Sequence, residues 1–234
     1  MCIIGFTGSI GCGKSTITNI LRSNKFKVID ADEISRNIMK DKEVLETVFE
    51  TFGYEIKKSD NTLDRKKLAD IVFNDEEKLL KLNQITHPRI IELIFSEIEE
   101  YREQRKAIYI ESDKKESCLS EHKYKKESCL GNEQKNMLKS QYIFIDSALL
   151  IESIIKDYVD KILVVTCRED VQIQRIMQRD NCTKKQALDR IKVQMPQEEK
   201  EKFADYIINN STTVENLTHE VSKFIEYMKV NWNE

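Results

Sequence analysis

Gly8-Ser9-Ile10-Gly11-Cys12-Gly13-Lys14-Ser15-Thr16 matches G-x-x-x-x-G-K-[ST] at every fixed position. Each residue type in that string has a chemical reason. Glycines let the backbone curl so that successive N–H groups point inward at a phosphate, and Lys14 adds a point charge for the β and γ phosphates. The Ser15 hydroxyl can complete the coordination shell of a Mg²⁺ ion. A helix following the loop turns the positive end of its dipole toward the same anion. The alternative, a glycine-rich turn carrying a surface lysine, does not account for the strand-like run before the string or the helix-like run after it.

Carboxylates and arginines further along add to this set. Asp30-Ala31-Asp32 closes the strand-like run Phe26–Ile29, and Asp146 closes the apolar run Tyr142–Ile145. In a doubly wound sheet, groups just past a strand's carboxyl end line the ligand crevice. Asp32 is therefore either a crevice acid or the N-cap of a helix starting near Glu33. Asp146 is either a metal-holding acid, acting directly or through water, or another cap. Arg175 and Arg179 stand at i and i+4 and project from one helix face; Arg190 and Gln194 follow on a second helix before Pro196. Two such helices joined by the polar turn Asn181–Thr183 suit a lid over a nucleotide, against the plainer reading of a solvated charged hairpin.

The elements that must position these groups can be read in order. Met1–Phe6 reads as a buried strand and Thr16–Ser23 as the helix behind the loop; Lys161–Thr166 and Ala204–Ile208 are further strands, and Val214–Val230 is a closing amphipathic helix. Glu33 to Arg105 is helical in character and too long for a bare crossover, so it reads as a substrate-binding region. Within it, Pro88 suits the first position of a helix, which would make His87 a cap. Leu63-Asp64-Arg65 opens another helix, with Arg65 facing either a phosphate or solvent. Residues 107–141 form a charged insertion in which Lys-Lys-Glu-Ser-Cys-Leu occurs twice, at 114–119 and 125–130. Its composition predicts a mobile surface excursion. Cys118, His122 and Cys129 fit no standard zinc spacing there. Ala107–Ile110 competes with Tyr142–Ile145 for the strand that carries the second acid.

Bulk properties narrow the class. A chain of 234 residues can bury one real core, and a net charge of −3 disfavours general nucleic-acid binding. No apolar run is long enough to span a bilayer, and no leader is expected ahead of a phosphate loop that begins at residue 8. Six cysteines without a C-x-x-C pair suit the cytoplasm. A guanine-reading Asn-Lys-x-Asp segment is absent, which disfavours a GTP switch, and no G-x-G-x-x-G opens the first turn as a dinucleotide enzyme would require. Nothing in the sequence sets an oligomeric state.

In this order the residues closely resemble the dephospho-CoA kinase family over nearly the whole chain apart from about 107–141. The likeness rests on the phosphate loop, Val28-Ile29-Asp30-Ala31-Asp32, Leu63-Asp64-Arg65, Ile71-Val72-Phe73 and His87-Pro88. It continues in Gln174 with Gln178-Arg179-Asp180, in Arg190-Ile191 with Gln194-Met195-Pro196, and in Ala204-Asp205 to Asn210. Three positions depart from the family's habit. Ala148 stands where proline is usual, Ser211 where glycine is frequent, and Cys12 where a small polar residue is usual. None removes a charge or a donor.

The resemblance implies one P-loop kinase domain: a five-stranded parallel α/β sheet with a helical substrate region at 33–106 and a lid at 175–200. It implies transfer of the ATP γ-phosphoryl group to the ribose 3′-hydroxyl of dephospho-CoA, with Mg²⁺ as cofactor. Asp32 and Lys14 would be catalytic. Gly11, Cys12, Gly13, Lys14, Ser15, Thr16, Arg179, Arg190 and Asn209 would bind ATP. Asp32, Arg65, His87, Leu149 and Glu152 would meet the acceptor, and Ser15 with Asp146 the metal. No nucleic acid or membrane partner is implied. A nucleoside monophosphate kinase or sugar-acid kinase is the nearest rival.

Overall fold

The computed structural model describes residues 1–72, 75–118 and 141–232, with 108–118 as backbone only. Residues pack into two compact units, Met1–Ile29 with Ile98–Glu234, and Asp30–Glu97.

The larger unit is built on a five-stranded sheet: β1 (Cys2–Gly8), β2 (Lys27–Asp30), β3 (Tyr142–Asp146), β4 (Lys161–Thr166) and β5 (Tyr206–Asn209), in the order β2-β3-β1-β4-β5. β1 lies parallel to β3 and to β4, and β4 parallel to β5. β3 is buried at all five residues, and β1 and β4 at every residue after the first. That is why they read as continuous apolar runs rather than alternating ones. In register, Phe6 faces Asp146 across β3 while Gly8 faces Val165 across β4. A Cβ on Gly8 would lie 2.7 Å from the Val165 carbonyl oxygen, so only glycine lets the two backbones approach here.

Helix α1 (Lys14–Ser23) packs Ile17 and Leu21 into a core shared with Ile4, Phe6, Phe144, Leu163 and Val165. An aromatic file seals that core. Phe26 meets Phe144 edge-on at 5.5 Å, Phe144 meets Phe224 at 6.2 Å, and Phe224 meets Trp232 at 5.7 Å.

The 30–97 unit starts with α2 (Ala31–Asn37), followed by α3 (Lys42–Phe52), α4 (Arg65–Val72) and the first part of α5 (Glu76–Cys118). Val44, Val48, Phe49, Ile56, Leu68, Ile90 and Ile94 are among its buried apolar residues. Aspartates open all four of these helices, Asp30 accepting from the Glu33 amide at the start of α2. Asp41 accepts from the amides of Glu43 and Val44, Asp64 from those of Lys66 and Lys67, and Asp75 from that of Lys78.

Two sequence-based expectations need correcting here. Pro88 lies inside α5 rather than opening a helix, so His87 is an interior residue and not a cap. Helix register on both sides carries the proline through, although proline has no N–H to give the preceding turn. Ala107–Ile110 is helical backbone within α5, which leaves Tyr142–Asp146 as the strand bearing the acid. Residues 111–118 continue the same helix, and the rest of the expected surface excursion, with His122 and Cys129, lies outside the described residues.

Among the described residues, the remaining α-helices are α6 (Glu169–Asp180), α7 (Lys184–Lys192), α8 (Gln197–Glu201) and α9 (Val214–Asn231). Asn181 ends α6 in the left-handed region, at φ 47° and ψ 50°, a conformation that Asn tolerates well. Thr183 then opens α7 through a capping box with Gln186.

Candidate active site

The phosphate loop takes its shape from glycine and is held in it by remote side chains. Gly11 and Gly13 sit at φ +82° and +83°, where an L side chain is strained, and a Cβ on Gly13 would lie 2.2 Å from Asn210 Nδ2. The Ile10 amide donates to Gln194 Oε1 at 2.8 Å, and Gln172 Nε2 donates to the Ile10 carbonyl at 2.6 Å. Asn210 Nδ2 donates to the Cys12 carbonyl at 2.8 Å, while Arg175 donates to the Asn210 carbonyl at 2.9 Å. Three side chains, from α6, the segment after α7 and the residue after β5, thus fix a loop more than 150 residues away in sequence, and Arg175 steadies the third. Ser9 Oγ, on the same loop, is the one buried side-chain polar atom without a hydrogen-bond partner among the described residues.

At the start of α1, Lys14 Nζ forms a salt bridge with Asp146, and Thr18 Oγ1 donates to the other carboxylate oxygen at 2.6 Å. The Asp146 side chain is only 7% exposed, so its charge is neutralised by a cation rather than by bulk water. Asp146 is not a helix cap, because residues 147–153 are turns and its carboxylate is turned to α1. Ser15 is exposed one position beyond Lys14. Among the described residues no cluster of three or more His, Cys, Asp or Glu could hold a metal. A carboxylate and a hydroxyl suit an ion that keeps waters and takes its other ligands from phosphates.

Arg175 and Arg179, expected on one helix face, meet different partners. Arg175 is half-buried against Asn210, beside the loop. Arg179 and Arg190 both pair with Asp180, Arg179 Nε at 2.7 Å, and that paired guanidinium holds the Asp180 carboxyl below its ordinary value. Asp180 is thus the hub that joins the two lid helices. Asn209 is exposed and its side chain accepts from the Ser211 amide at 2.9 Å; the neighbouring Asn210 is the one on the loop.

On the turn after β3, Leu149 is half exposed, whereas Glu152 pairs with Lys200 at 2.9 Å. Lys200 is fully buried and also donates to the Ala148 carbonyl at 3.0 Å, tying α8 to that turn. This lysine gave no signal in the sequence, because a lysine within Glu-Glu-Lys-Glu-Lys reads as solvated.

In the 30–97 unit, Asp30 supplies the cap once considered for Asp32. Its Oδ1 accepts from the Glu33 amide at 2.7 Å, and Asp32 lies in the first turn of α2. Arg65 donates to the Arg36 carbonyl at 2.6 Å. His87 is half-buried in α5, and desolvation lowers its proton affinity, so the neutral ring is favoured at neutral pH.

Comparison with known proteins agrees with this geometry. The dephospho-CoA kinase family model matches residues 2–113 and 125–216. The eleven residues skipped, 114–124, equal one period of the internal duplication. A dephospho-CoA kinase of Fusobacterium nucleatum is 38% identical over 224 residues, covering 96% of this chain and 97% of the relative. Among solved structures, TT1252 from Thermus thermophilus aligns with a TM-score of 0.70 at 27% identity, over 97% of both chains. Dephospho-CoA kinase from Campylobacter jejuni aligns at 0.51 and 28% identity, over 97% of this chain and 96% of that one. With the phosphate loop, the parallel sheet and these matches in agreement, the chain belongs to the dephospho-CoA kinase family.

Proposed function

We propose that this chain transfers the γ-phosphoryl group of ATP to the ribose 3′-hydroxyl of dephospho-CoA, the step that completes CoA. The observation that carries the reading is a phosphate loop braced by Gln172, Gln194 and Asn210, with Lys14 and Asp146 at its floor, in a chain of this family.

Phosphoryl transfer has a loose transition state, so positioning and charge matter more than base strength. Backbone amides from Gly11 to Thr16, Cys12 and Gly13 included, bind the phosphates, and Lys14 exchanges its carboxylate partner for them. Ser15 and Asp146, the latter directly or through water, would hold Mg²⁺, which when bound would neutralise charge on the transferred group. Arg179 and Arg190 serve the nucleotide from the lid helices at 175–200, and Asn209 serves it from the end of β5. Arg175 joins them, because its guanidinium stands beside Gly13.

Asp32 orients the 3′-hydroxyl and takes its proton. The residue lies two positions past the end of β2, and Asp30 rather than Asp32 does the capping there, which supports the role. Arg65 and His87 of the 30–97 unit, and Leu149 and Glu152 of the larger unit, are the acceptor-binding residues, with His87 acting as a neutral hydrogen-bonding group. The helical 30–97 unit is the acceptor-binding part of one kinase domain.

The reaction belongs in the cytoplasm. The described cysteines Cys2, Cys12, Cys167 and Cys182 are all free thiols, as a reducing compartment maintains them. No described helix is long and apolar enough to cross a membrane.

The test is ATP consumption with dephospho-CoA, nucleoside monophosphates and gluconate as separate acceptors, products identified by mass. Turnover with dephospho-CoA alone, yielding CoA, is expected. Turnover with a monophosphate or sugar acid in its place would overturn the assignment.

A further inference from the structure

We infer that Cys12 and Cys167 are a redox modification site, closing as a reversible disulfide that disables the phosphate loop. Cys12 lies on the loop and Cys167 directly follows β4; the two sulfur atoms are 3.3 Å apart although 155 residues separate them in sequence. Both side chains are buried, and Cys167 Sγ also lies 4.0 Å from the Gly11 carbonyl oxygen. Gln197 holds the pair together from α8. Its Oε1 accepts from the Cys167 amide at 3.0 Å and from Cys12 Sγ at 3.6 Å.

The two thiols are unlike in acidity. The contact with Cys12, helped by the nearby Arg175 charge, lowers the Cys167 thiol below its ordinary value, while the same contact and burial raise Cys12. Cys167 is thus the attacking sulfur. Its thiolate attacks one oxygen of hydrogen peroxide, breaking the O–O bond, and the released hydroxide takes a proton to leave as water. Cys12 sulfur then attacks the sulfenic sulfur, and the hydroxyl leaves with the Cys12 proton as a second water. Two thiols are oxidised by two electrons in all, and one peroxide is reduced to two waters.

A disulfide is about 2.05 Å long, so closure draws the sulfurs together by a little over 1 Å. The Cys12 peptide is part of the loop that grips phosphate under the function proposed above. A shift of about 1 Å in such a positioning element costs about a hundredfold in rate.

The experiment treats the reduced full-length protein with hydrogen peroxide, blocks remaining thiols, and maps linked peptides by mass spectrometry without reductant. This first readout is independent of what the enzyme phosphorylates. The expected result is a Cys12–Cys167 linkage removed by dithiothreitol, with phosphoryl transfer about a hundredfold slower in the linked form and restored on reduction. Cys167→Ser, or Cys167→Ala should the serine variant fold poorly, keeps its turnover and is insensitive to peroxide on this timescale. Oxidation confined to other cysteines, over-oxidation of Cys167 without linkage, or a linked protein with unchanged turnover would each overturn the proposal.

Discussion

Asn210 donates its side-chain amide to the carbonyl of Cys12 across 198 residues of sequence, and the same amide fills the space a side chain on Gly13 would need. The contact is buried, so Asn210→Ala leaves a carbonyl without its donor, a loss of about 1–3 kcal/mol. Because that carbonyl sets the tilt of the Cys12–Gly13 peptide, the loss appears in the nucleotide site. ATP affinity is expected to fall about tenfold while acceptor KM stays level. Titration calorimetry with ATP checks this, and an affinity within about threefold of wild type would remove Asn210 from loop positioning.

Asp32→Asn keeps the size of the side chain and removes its charge. A positioned base of this type is expected to contribute about 10²–10⁴ in turnover. The loss falls on kcat, with ATP affinity unchanged. Single-turnover kinetics separate the two, and a kcat near wild type would take Asp32 out of the reaction.

Lys200 is fully buried between Glu152 and the Ala148 carbonyl. Removing one partner of a buried pair leaves the other uncompensated, so Lys200→Met should cost about 3 kcal/mol of stability in urea unfolding. Adding Glu152→Gln to that variant should return part of the loss. A double variant as unstable as the simple sum would show that the pair is not coupled.

Asp64 caps α4, and the Lys67 amide holds its carboxyl below the usual value of 3.8. A carboxyl with a lowered folded-state value stabilises the fold above 3.8, and the contribution disappears as pH falls through that lower value. Asp64→Ala should therefore melt below wild type at neutral pH, with the gap closing toward pH 3. Thermal melts at both pH values test the sign, and a gap that widens in acid would refute it.

The parts of this site that were legible in the sequence are those whose signal is local. A phosphate loop is a run of adjacent residue types between a strand and a helix, and β3 announces Asp146 by ending an apolar run with an acid. Pro88 misled because a proline at a helix start and one inside a helix look alike over a short window. Gln172, Gln194 and Asn210 went unassigned as loop braces for a different reason: their work is done on a backbone more than 150 residues away. Asn209 and Asn210 show how fine the distinction is. Adjacent residues at a strand end face opposite ways, and only the second meets the loop.

The lysine at the foot of the phosphate loop is already bound to Asp146, with Thr18 holding the other carboxylate oxygen. An incoming anion must therefore replace a carboxylate rather than meet a bare cation. A singly charged anion trades one minus charge for another and gains little, whereas a polyphosphate brings more charge than it displaces. The same pairing that quiets the lysine also ranks its suitors, favouring the triphosphate over the many simple anions a cell contains.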